Sequence, residues 1–354
     1  MTTIPHILHC PSCLSPLPLA VGAAATLDCD GCGARYPVRF GIPDLRPDGV
    51  EDPYLTRDDD LRSADRLASR AEQGGFEAAL AAYYETNARV PASQARRFIT
   101  GALAAEERAG ATWQAWQESS GTAAAGLVVD VGCGTGPLLA AAQSPNVQLI
   151  GVDVGLRWLV LARARLRERQ AVALLACAGA TRLPLASQAV DMVASEALLE
   201  NVVPASAVIE ESARVLRAGG WCCLTTANRW SLGPDPHVGL PLGGWLPDAV
   251  VARWAERRGM VPPRRRLLSA ADLRRLLGGP DFTDLRIAPP SITDAQRNGA
   301  SPLIRAAVDV YRAVGRLASG RAVLRAAGPS LLAVARRAAV PNDPARRPST
   351  APRP

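Results

Sequence analysis

The sequence of 354 residues contains no lysine, so all 40 of its basic residues are arginines. This absence excludes a phosphate-binding loop of the Gly-Lys-Ser type, a lysine Schiff base and a lysine general base. The sequence also lacks an apolar run of roughly 18 to 20 residues, which a membrane span needs. The first residues, "MTTIPHILHCPSC", lack the apolar core of a signal peptide. We therefore expect a cytoplasmic protein without a transmembrane segment.

The charge is unevenly distributed along the chain. Residues 251–354 hold 20 arginines against 7 acidic residues, whereas the first 250 residues hold 20 against 26. The apolar share of 48% is typical of a globular protein. A basic C-terminal region on an acidic body favours a peripheral partner of negative charge, either an anionic membrane surface or RNA.

Four of the eight cysteines form two CxxC pairs near the N-terminus. Cys10 and Cys13 are separated by fifteen residues from Cys29 and Cys32. This spacing is typical of a tetrahedral zinc site with four thiolate ligands. A segment of about 45 residues with so little core needs such a metal to fold. The pattern predicts a zinc ribbon over residues 1–47 with structural Zn²⁺, and a degenerate ribbon without metal is the alternative.

The remaining chain divides into four parts. Residues 48–122 begin with an acidic linker, "DGVEDPYLTRDDD", and continue as a helical cap. Residues 123–295 alternate β-branched runs with helical stretches, which indicates an α/β fold: a Rossmann-like, doubly wound, mostly parallel sheet with helices on both faces. Residues 296–340 are predicted to form C-terminal basic helices, two in number, and residues 341–354 a disordered tail. The predicted strands are 127–131, 148–153, 173–177, 190–195, 221–227 and 284–288.

The segment "LVVDVGCGTGPLLAAA" at residues 127–142 carries the strongest functional signal. Asp130 ends a predicted strand, and Gly132, Gly134 and Gly136 follow at alternate positions. A dinucleotide fold has G-x-G-x-x-G instead, and Pro137 occupies the place of its third glycine. A carboxylate beside the turn suits a cationic ligand and repels a pyrophosphate, so NAD is disfavoured.

These residues resemble the first motif of the class I S-adenosylmethionine-dependent methyltransferases, in particular the type 11 domain. The next segments, "LIGVDVGLRWLVLARARL", "CAGATRLPLASQAVDMVASEALLENV" and "ARVLRAGGWCCLTTANRWS", follow in the order of that family. The resemblance implies S-adenosylmethionine as cofactor, with Asp153 accepting both ribose hydroxyls. The cofactor-binding residues that it implies are Asp130, Gly132, Cys133, Gly134, Gly136, Asp153, Val154, Gly179, Ala180, Thr181 and Ser195. The N-terminal segment resembles small zinc ribbons that act as methyltransferase partners or are fused in front of methyltransferases.

Two positions depart from the family pattern. Gly179 stands where the family commonly has an aspartate that accepts from the adenine amino group, and Ala218 replaces the proline of "LxPGG". We expect backbone groups around Ala180 and apolar packing to hold adenine instead. The loss of one hydrogen bond costs about 1–2 kcal/mol of binding free energy, which weakens cofactor binding without abolishing it.

The acceptor is expected beyond the carboxyl ends of the strands. Residues 195–201 have neither the Asn/Asp-Pro-Pro-Tyr run of amino-group methyltransferases acting on DNA or glutamine nor the Pro-Cys of cytosine C-methyltransferases. Glu196 and Glu200 either cap a helix, or one of them faces the site of methyl transfer. The next candidate is an insertion at residues 228–262, which resembles the substrate-proximal insertion of some bacterial methyltransferases.

His237 is the only histidine outside the ribbon. A histidine of near-neutral pKa suits a general base for a hydroxyl acceptor. We predict His237 as that base, with Glu196, Asn228, Arg229 and Trp230 contacting the substrate; a structural histidine in an irregular loop is the alternative.

The sequence thus predicts methyl transfer from S-adenosylmethionine to an oxygen or nitrogen of a small-molecule, lipid-linked or sugar-linked metabolite. A ribosomal RNA base methyltransferase and a non-catalytic S-adenosylmethionine-binding module are the alternatives. In the C-terminal region, Arg305, Asp309, Arg312 and Arg316 are spaced along one helical face. That face is either solvated on a packed helix, or it contacts an anionic membrane or RNA.

Overall fold

The structure is a computed structural model of the chain, and it describes residues 7–18, 25–87, 90–235, 237–298 and 302–339. The tail predicted at 341–354, together with residue 340, lies outside these ranges. No helix within them is long and apolar enough to cross a bilayer.

The N-terminal segment forms a small antiparallel sheet. Its strands, in the order β1-β2-β3, are β1 Thr26–Asp28, β2 Arg35–Arg39 and β3 Ile42–Pro43. Phe40 and Gly41 turn the chain between β2 and β3 with φ of 55° and 70°. A tight turn of this kind lets the next residues, 44–46, run back toward the main body of the protein.

Three helices follow the small sheet: α1 Arg57–Glu85, α2 Ala92–Leu103 and α3 Ala105–Ser120. The acidic run predicted as a linker ends inside α1, because Asp58, Asp59 and Asp60 occupy its first helical turn. Thr56 caps this helix by accepting from the Asp59 N–H at 3.2 Å. Carboxylates are favourable at a helix N-terminus, so the residues that resemble a solvated linker start a helix.

The prediction of a Rossmann-like, mostly parallel sheet is confirmed. Seven strands lie in the order β6-β5-β4-β7-β8-β10-β9. They are β4 Gly126–Val131, β5 Val147–Asp153, β6 Leu174–Cys177, β7 Val190–Glu196, β8 Leu216–Ala227, β9 Phe282–Ala288 and β10 Ser330–Arg337. The strands β4 to β8 pair in parallel, so their carboxyl ends meet at one edge.

The prediction of C-terminal helices over residues 296–340 is wrong for its last part. Residues 330–337 form β10, which lies antiparallel between β8 and β9. Five consecutive residues, 331–335, are buried in this strand. Because both faces are covered, its sequence "LLAVA" has no alternation, and periodicity cannot distinguish such a run from a buried helix.

Helices cover both faces of the large sheet. They are α4 Pro137–Ala141, α5 Leu156–Glu168, α6 Ala205–Val215, α7 Asp248–Glu256, α8 Ala270–Leu277, α9 Asp294–Asn298, α10 Pro302–Arg316 and α11 Ala318–Ala327. One face of the sheet packs against α1, α3, α4 and α5, and the other packs against α6, α8 and the N-terminal segment.

The N-terminal segment pairs directly with the edge of the large sheet. Leu45 donates its N–H to the carbonyl of Cys177 at 2.7 Å, and His9 donates to Pro184 at 3.0 Å. Ala186 donates in turn to Ile7 at 3.1 Å. The segment therefore holds the loop after β6, where the family resemblance places adenine.

Part of the predicted arginine face of α10 is engaged within the molecule. Arg312 donates to the carbonyl of Ile292 at 2.6 Å and pairs with Asp294, while Asp309 pairs with Arg297. Arg316 remains exposed. This arrangement favours a helix that packs on the domain.

Candidate functional site

The glycine turn after β4 uses a left-handed backbone at three positions. Gly132, Gly134 and Gly136 have φ of 75°, 50° and 71°. A Cβ on Gly132 would lie 2.8 Å from Leu198 Cδ1, and one on Gly136 would lie 3.0 Å from Ala162 Cβ. A Cβ on Gly134 would meet no atom within 4 Å. Packing thus explains the outer two glycines, whereas Gly134 borders open space in which a ligand can approach the backbone.

Asp153, at the end of β5, holds this turn in place. Its Oδ2 accepts from the Gly134 N–H at 2.9 Å and its Oδ1 from the Gly155 N–H at 2.8 Å. A carboxylate offers about four lone-pair positions, so it retains acceptors for two further hydroxyl donors. Burial raises the pKa of Asp153 to about 6, while the two N–H donors lower it. The geometry fits a carboxylate that receives a ribose diol.

Asp130 is buried beside this turn, with only 3% of its surface exposed. Its carboxylate makes no side-chain hydrogen bond with any residue that the structure describes. Burial raises the pKa of Asp130 well above its usual value, and the charges of Glu196 and Asp153 raise it further. An unpartnered buried carboxylate is costly, and a cationic ligand in the cleft offsets that cost.

Glu196, at the end of β7, is the third carboxylate of this group. Burial raises its pKa, which is opposed by a hydrogen bond with Thr112 and by the charge of Arg108. Glu200 differs from Glu196, because it is buried and accepts from the Thr226 hydroxyl at 2.7 Å and the Ala227 N–H at 3.3 Å. Glu200 therefore fastens the end of β8, and Glu196 is the glutamate near the cleft. We call Asp130, Asp153 and Glu196 the carboxylate cluster.

The remaining predicted cofactor residues have internal contacts. The Ser195 hydroxyl donates to the Val131 carbonyl at 2.8 Å, which ties β7 to β4. The Cys133 side chain is buried, and burial raises the pKa of its thiol well above the usual value, so it fills the turn rather than reacting. A Cβ on Gly179 would lie 3.2 Å from Val50, so the segment after the ribbon borders the loop of Gly179, Ala180 and Thr181.

The candidate substrate residues separate into two kinds. Asn228 is buried, and its side-chain amide donates to the carbonyls of Ala326 at 3.1 Å and Gly328 at 3.0 Å. It joins the end of β8 to the end of α11. Arg229 and Trp230 are exposed, with the guanidinium carbon 4.9 Å from the indole centroid. Arg229 and Trp230 therefore remain able to contact a ligand, whereas the amide of Asn228 is occupied.

His237 is held by its neighbours in the insertion. Its ring Nδ1 lies 3.0 Å from Nη1 of Arg265, and its backbone N–H donates to Asp235 Oδ1 at 2.9 Å. Burial lowers the pKa of His237, which favours the neutral ring. Because arginine only donates, Nδ1 accepts, and the neutral ring then carries its proton on Nε2. A ring in this tautomer has no lone pair left for a substrate, so this geometry disfavours the predicted general base.

A buried ionic network connects the N-terminal segment to the cofactor side of the sheet. Arg46 pairs with Asp44 at 2.7 Å and with Asp60 at 2.9 Å, and it donates to the Val154 carbonyl at 3.0 Å. Arg157 pairs with the same Asp60 at 2.8 Å and with Asp52 at 3.0 Å. Asp60 also accepts from the Leu156 N–H at the start of α5. The sequence analysis missed this network, because each of its residues resembles an ordinary surface charge in a polar segment.

The four N-terminal cysteines converge. Their sulfur atoms lie within 4.8 Å of one another, with 3.6 Å between Cys10 and Cys32 and 3.5 Å between Cys13 and Cys29. A tetrahedral zinc with bonds of about 2.3 Å requires sulfur separations of about 3.8 Å, so the arrangement fits. Hydrogen bonds from Ser15 lower the pKa of Cys13 to about 6, which favours the thiolate form. These cysteines are able to hold a metal ion.

Comparisons with known proteins match this chain to methyltransferases. The family model of a methyltransferase domain matches residues 129–224. A ubiquinone/menaquinone biosynthesis C-methyltransferase of Desulfotalea psychrophila is 33% identical over 175 residues, which are 47% of this chain and 69% of that protein. A ubiquinone biosynthesis O-methyltransferase of Leptothrix cholodnii is 28% identical over 113 residues, 29% of this chain and 44% of that protein. A solved methyltransferase from Thermotoga maritima, described as a possible histamine N-methyltransferase, has a TM-score of 0.43 and 16% identity, covering 68% of this chain and 94% of that one.

The chain belongs to the class I S-adenosylmethionine-dependent methyltransferases, and it is an enzyme of that class. The family match begins in β4 and does not include the N-terminal segment that is predicted to be a zinc ribbon. The chain covers 69% of the first of these two curated relatives and 44% of the second, so its acceptor is a matter for proposal.

Proposed function

We propose that the enzyme transfers a methyl group to a small-molecule, lipid-linked or sugar-linked acceptor, most readily at an oxygen or nitrogen. The observation that carries this proposal is the carboxylate cluster around the glycine turn. Bound S-adenosylmethionine supplies an electrophilic methyl group on a sulfonium. In-line displacement at such a centre needs mainly positioning and exclusion of water.

Two members of the carboxylate cluster and the glycine turn bind the cofactor in this proposal. Asp153 accepts the ribose hydroxyls with the lone pairs that Gly134 and Gly155 leave unused. Asp130 faces the positive charge of the cofactor and is stabilised as a carboxylate by it. The open side of Gly134 lets the cofactor lie against the backbone.

Glu196 is the better candidate for a proton acceptor than His237. Its charge raises the pKa of Asp130, so the two carboxyl groups interact, and burial raises the pKa of Glu196 itself, which makes it a stronger base. His237 remains the alternative, and using it would require Arg265 to release its Nδ1.

The names of the relatives support a small acceptor. One relative is a C-methyltransferase and another an O-methyltransferase, both of ubiquinone biosynthesis, so transfer to carbon is a second candidate reaction. An RNA base is a weaker candidate, because part of the C-terminal arginine face is engaged internally.

We also propose that the four cysteines hold a structural Zn²⁺ and that the enzyme acts in the cytoplasm, at times against the inner membrane surface. The exposed Arg316 and Arg321 lie close in sequence to the exposed apolar residues Leu317 and Val323, where α10 ends and α11 begins. Such a mixture suits contact with anionic lipid. Flotation with anionic liposomes, compared with neutral ones, tests this contact; equal flotation contradicts it.

Calorimetry with S-adenosylmethionine tests the cofactor site, and Asp153→Asn should weaken binding at least about tenfold. Isotopically methyl-labelled cofactor, incubated with extracts of small molecules, lipids and RNA, then identifies the labelled fraction by mass spectrometry. Label in RNA alone would contradict the proposed acceptor class. Glu196→Gln should lower kcat with little change in cofactor affinity, whereas His237→Ala should not.

A further inference from the structure

A cationic cleft lies between the insertion that follows β8 and the segment that precedes α8. It has a volume of about 210 Å³, and among its lining residues are Arg229, Leu246, Asp248, Arg265, Arg266 and Leu267. We call it the arginine cleft. Arg229 is the second residue after β8, and Arg265 and Arg266 precede α8. Three guanidinium groups from two separate segments therefore border one cavity.

Two of these three arginines have donors to spare. Arg265 is engaged, because it pairs with the buried Asp235 and donates to His237. Within the described residues, the side chains of Arg229 and Arg266 make no salt bridge and no hydrogen bond. The charge of Arg229 contributes to lowering the pKa of Asp272. The Asp272 carboxylate, however, already accepts hydrogen bonds from the backbone N–H and the hydroxyl of Ser269 at 2.9 and 2.7 Å.

One carboxylate, Asp248, lies in the lining. It is exposed at the start of α7 and makes no salt bridge with a described residue. The lining thus keeps an excess of positive charge with unsatisfied N–H donors. Planar guanidinium groups of this kind bind oxyanions through paired, charge-assisted hydrogen bonds.

The arginine cleft is fastened to the edge of the sheet where methyl transfer takes place. The backbone N–H of Arg266 donates to the Glu200 carbonyl at 2.7 Å, and the backbone N–H of Arg229 donates to the Leu268 carbonyl at 2.9 Å. Glu200 lies four residues after Glu196 of the carboxylate cluster. A molecule anchored in the cleft is therefore held next to the carboxyl ends of β7 and β8.

Exposed apolar side chains adjoin the cleft. Trp230 and Trp245 are 37% and 51% exposed, and their ring centroids lie 4.9 Å apart. Leu242 and Leu246 are exposed beside them in sequence. Large apolar groups that are gathered and exposed in this way mark a binding surface.

We propose that the arginine cleft binds an oxyanion group, phosphate or carboxylate, of the methyl acceptor, whose apolar body lies against the tryptophan pair. This inference rests on the proposed function and adds the chemical class of the acceptor. It makes Arg229 and Arg266 determinants of acceptor specificity, while Asp130 and Asp153 of the carboxylate cluster serve the cofactor.

The test compares three probes with the same apolar chain: octyl phosphate, octanoate and the neutral octyl glucoside. Calorimetry is performed on the zinc-loaded full chain with S-adenosylmethionine present, below the micelle concentration of each probe. We expect one or both anions to bind at least about tenfold more tightly than the glucoside, and added salt to weaken that binding. The tighter of the two anions identifies the group as phosphate or carboxylate.

The double variant Arg229→Gln, Arg266→Gln should weaken anion binding at least about tenfold, because it removes charge-assisted donors. The matched control is Arg253→Gln, Arg257→Gln, which removes the same charge from exposed arginines outside the lining and should change binding less than about twofold. Equal binding of the neutral probe, or equal losses in the two double variants, would overturn the proposal.

A separate readout keeps this test distinct from that of the proposed function. Both double variants should bind S-adenosylmethionine with the affinity of the parent chain, because neither touches the carboxylate cluster. Cofactor binding without anion binding overturns the arginine cleft alone. Anion binding without cofactor binding overturns the proposed function.

Discussion

Arg46 is the residue through which the N-terminal segment reaches the cofactor side of the sheet, and its replacement by methionine tests that connection. Its guanidinium makes hydrogen bonds of 2.8 and 2.7 Å with Asp44 and 2.9 Å with Asp60. It also donates to the carbonyl of Val154 at 3.0 Å. Methionine fills similar space but removes the charge and every donor.

The expected loss of stability follows from burial. The side chains of Arg46, Asp44 and Asp60 are at most 1% exposed. Removing one partner of a buried ion pair leaves an uncompensated charge, which costs about 3–5 kcal/mol. Asp60 keeps Arg157, and Asp44 keeps the half-buried Arg57 at 3.3 Å, so we expect the lower half of that range.

Cofactor binding should weaken as well. Val154 follows Asp153 directly, and the Arg46 hydrogen bond fixes its carbonyl. Loss of one such restraint is worth about 1 kcal/mol, which corresponds to roughly fivefold in affinity. Arg46→Lys should recover part of both losses, because lysine restores the charge but not the two parallel bonds to Asp44.

The measurements are urea unfolding followed by tryptophan fluorescence and calorimetry with S-adenosylmethionine. The matched control is Arg35→Met in the same segment, which breaks the exposed pair of Arg35 and Asp28. Side chains exposed by 76% and 53% contribute less than about 1 kcal/mol. Unfolding free energies of the two variants within about 1 kcal/mol of each other would refute the reasoning.

Three further predictions concern the cofactor turn and the cysteines. Cofactor affinity should fall as the pH decreases through about 6, because burial raises the pKa of Asp153 to about 6 and a protonated carboxyl loses acceptor capacity. Calorimetry between about pH 5 and 8 measures this change, and a constant affinity over that range contradicts the prediction. Gly134→Ala should weaken cofactor binding more than about tenfold, because the new Cβ enters the open side of the turn. The matched control is Gly121→Ala at a distant helix end, where φ is 73° and the Cβ also meets open space. It should cost similar stability and leave the cofactor affinity unchanged. Equal affinities of these two variants would contradict the placement of the cofactor. Cys29→Ser should abolish the binding of one zinc per chain, measured by elemental analysis, and should lower the thermal midpoint of unfolding. The control Cys222→Ser, in a buried strand, should keep the metal. A parent chain that contains no zinc after expression with zinc contradicts this prediction.

The sequence predicted the parts of the site that depend on local geometry. Three glycines at alternate positions are required where the backbone has positive φ, so the turn at Gly132–Gly136 can be recognised without knowledge of the rest of the chain. Asp130 is the penultimate residue of β4 and Asp153 the last residue of β5, so both lie at the carboxyl edge of the parallel strands. The two CxxC pairs likewise place their thiols locally.

Side-chain partners were predicted less well. Asn228 and His237 have the residue types of a polar pocket, but the carbonyl groups of Ala326 and Gly328 and the guanidinium of Arg265 occupy them. Those partners lie between 28 and 100 residues away in the chain. No spacing rule connects residues over such distances.

The sequence by itself determined the α/β class, the glycine turn, the acids near two strand ends and the two CxxC pairs, because each follows from backbone conformation or spacing over a few residues. Only the tertiary structure decided that residues 330–337 form a strand between β8 and β9. The same holds for Asp60, which lies in the first turn of α1 and is buried in ion pairs with Arg46 and Arg157. It also holds for Arg229 and Arg266, which border one cleft. The physical reason is that burial and charge pairing depend on which distant segments meet, and the free energy of those contacts outweighs the local preference of the residues involved.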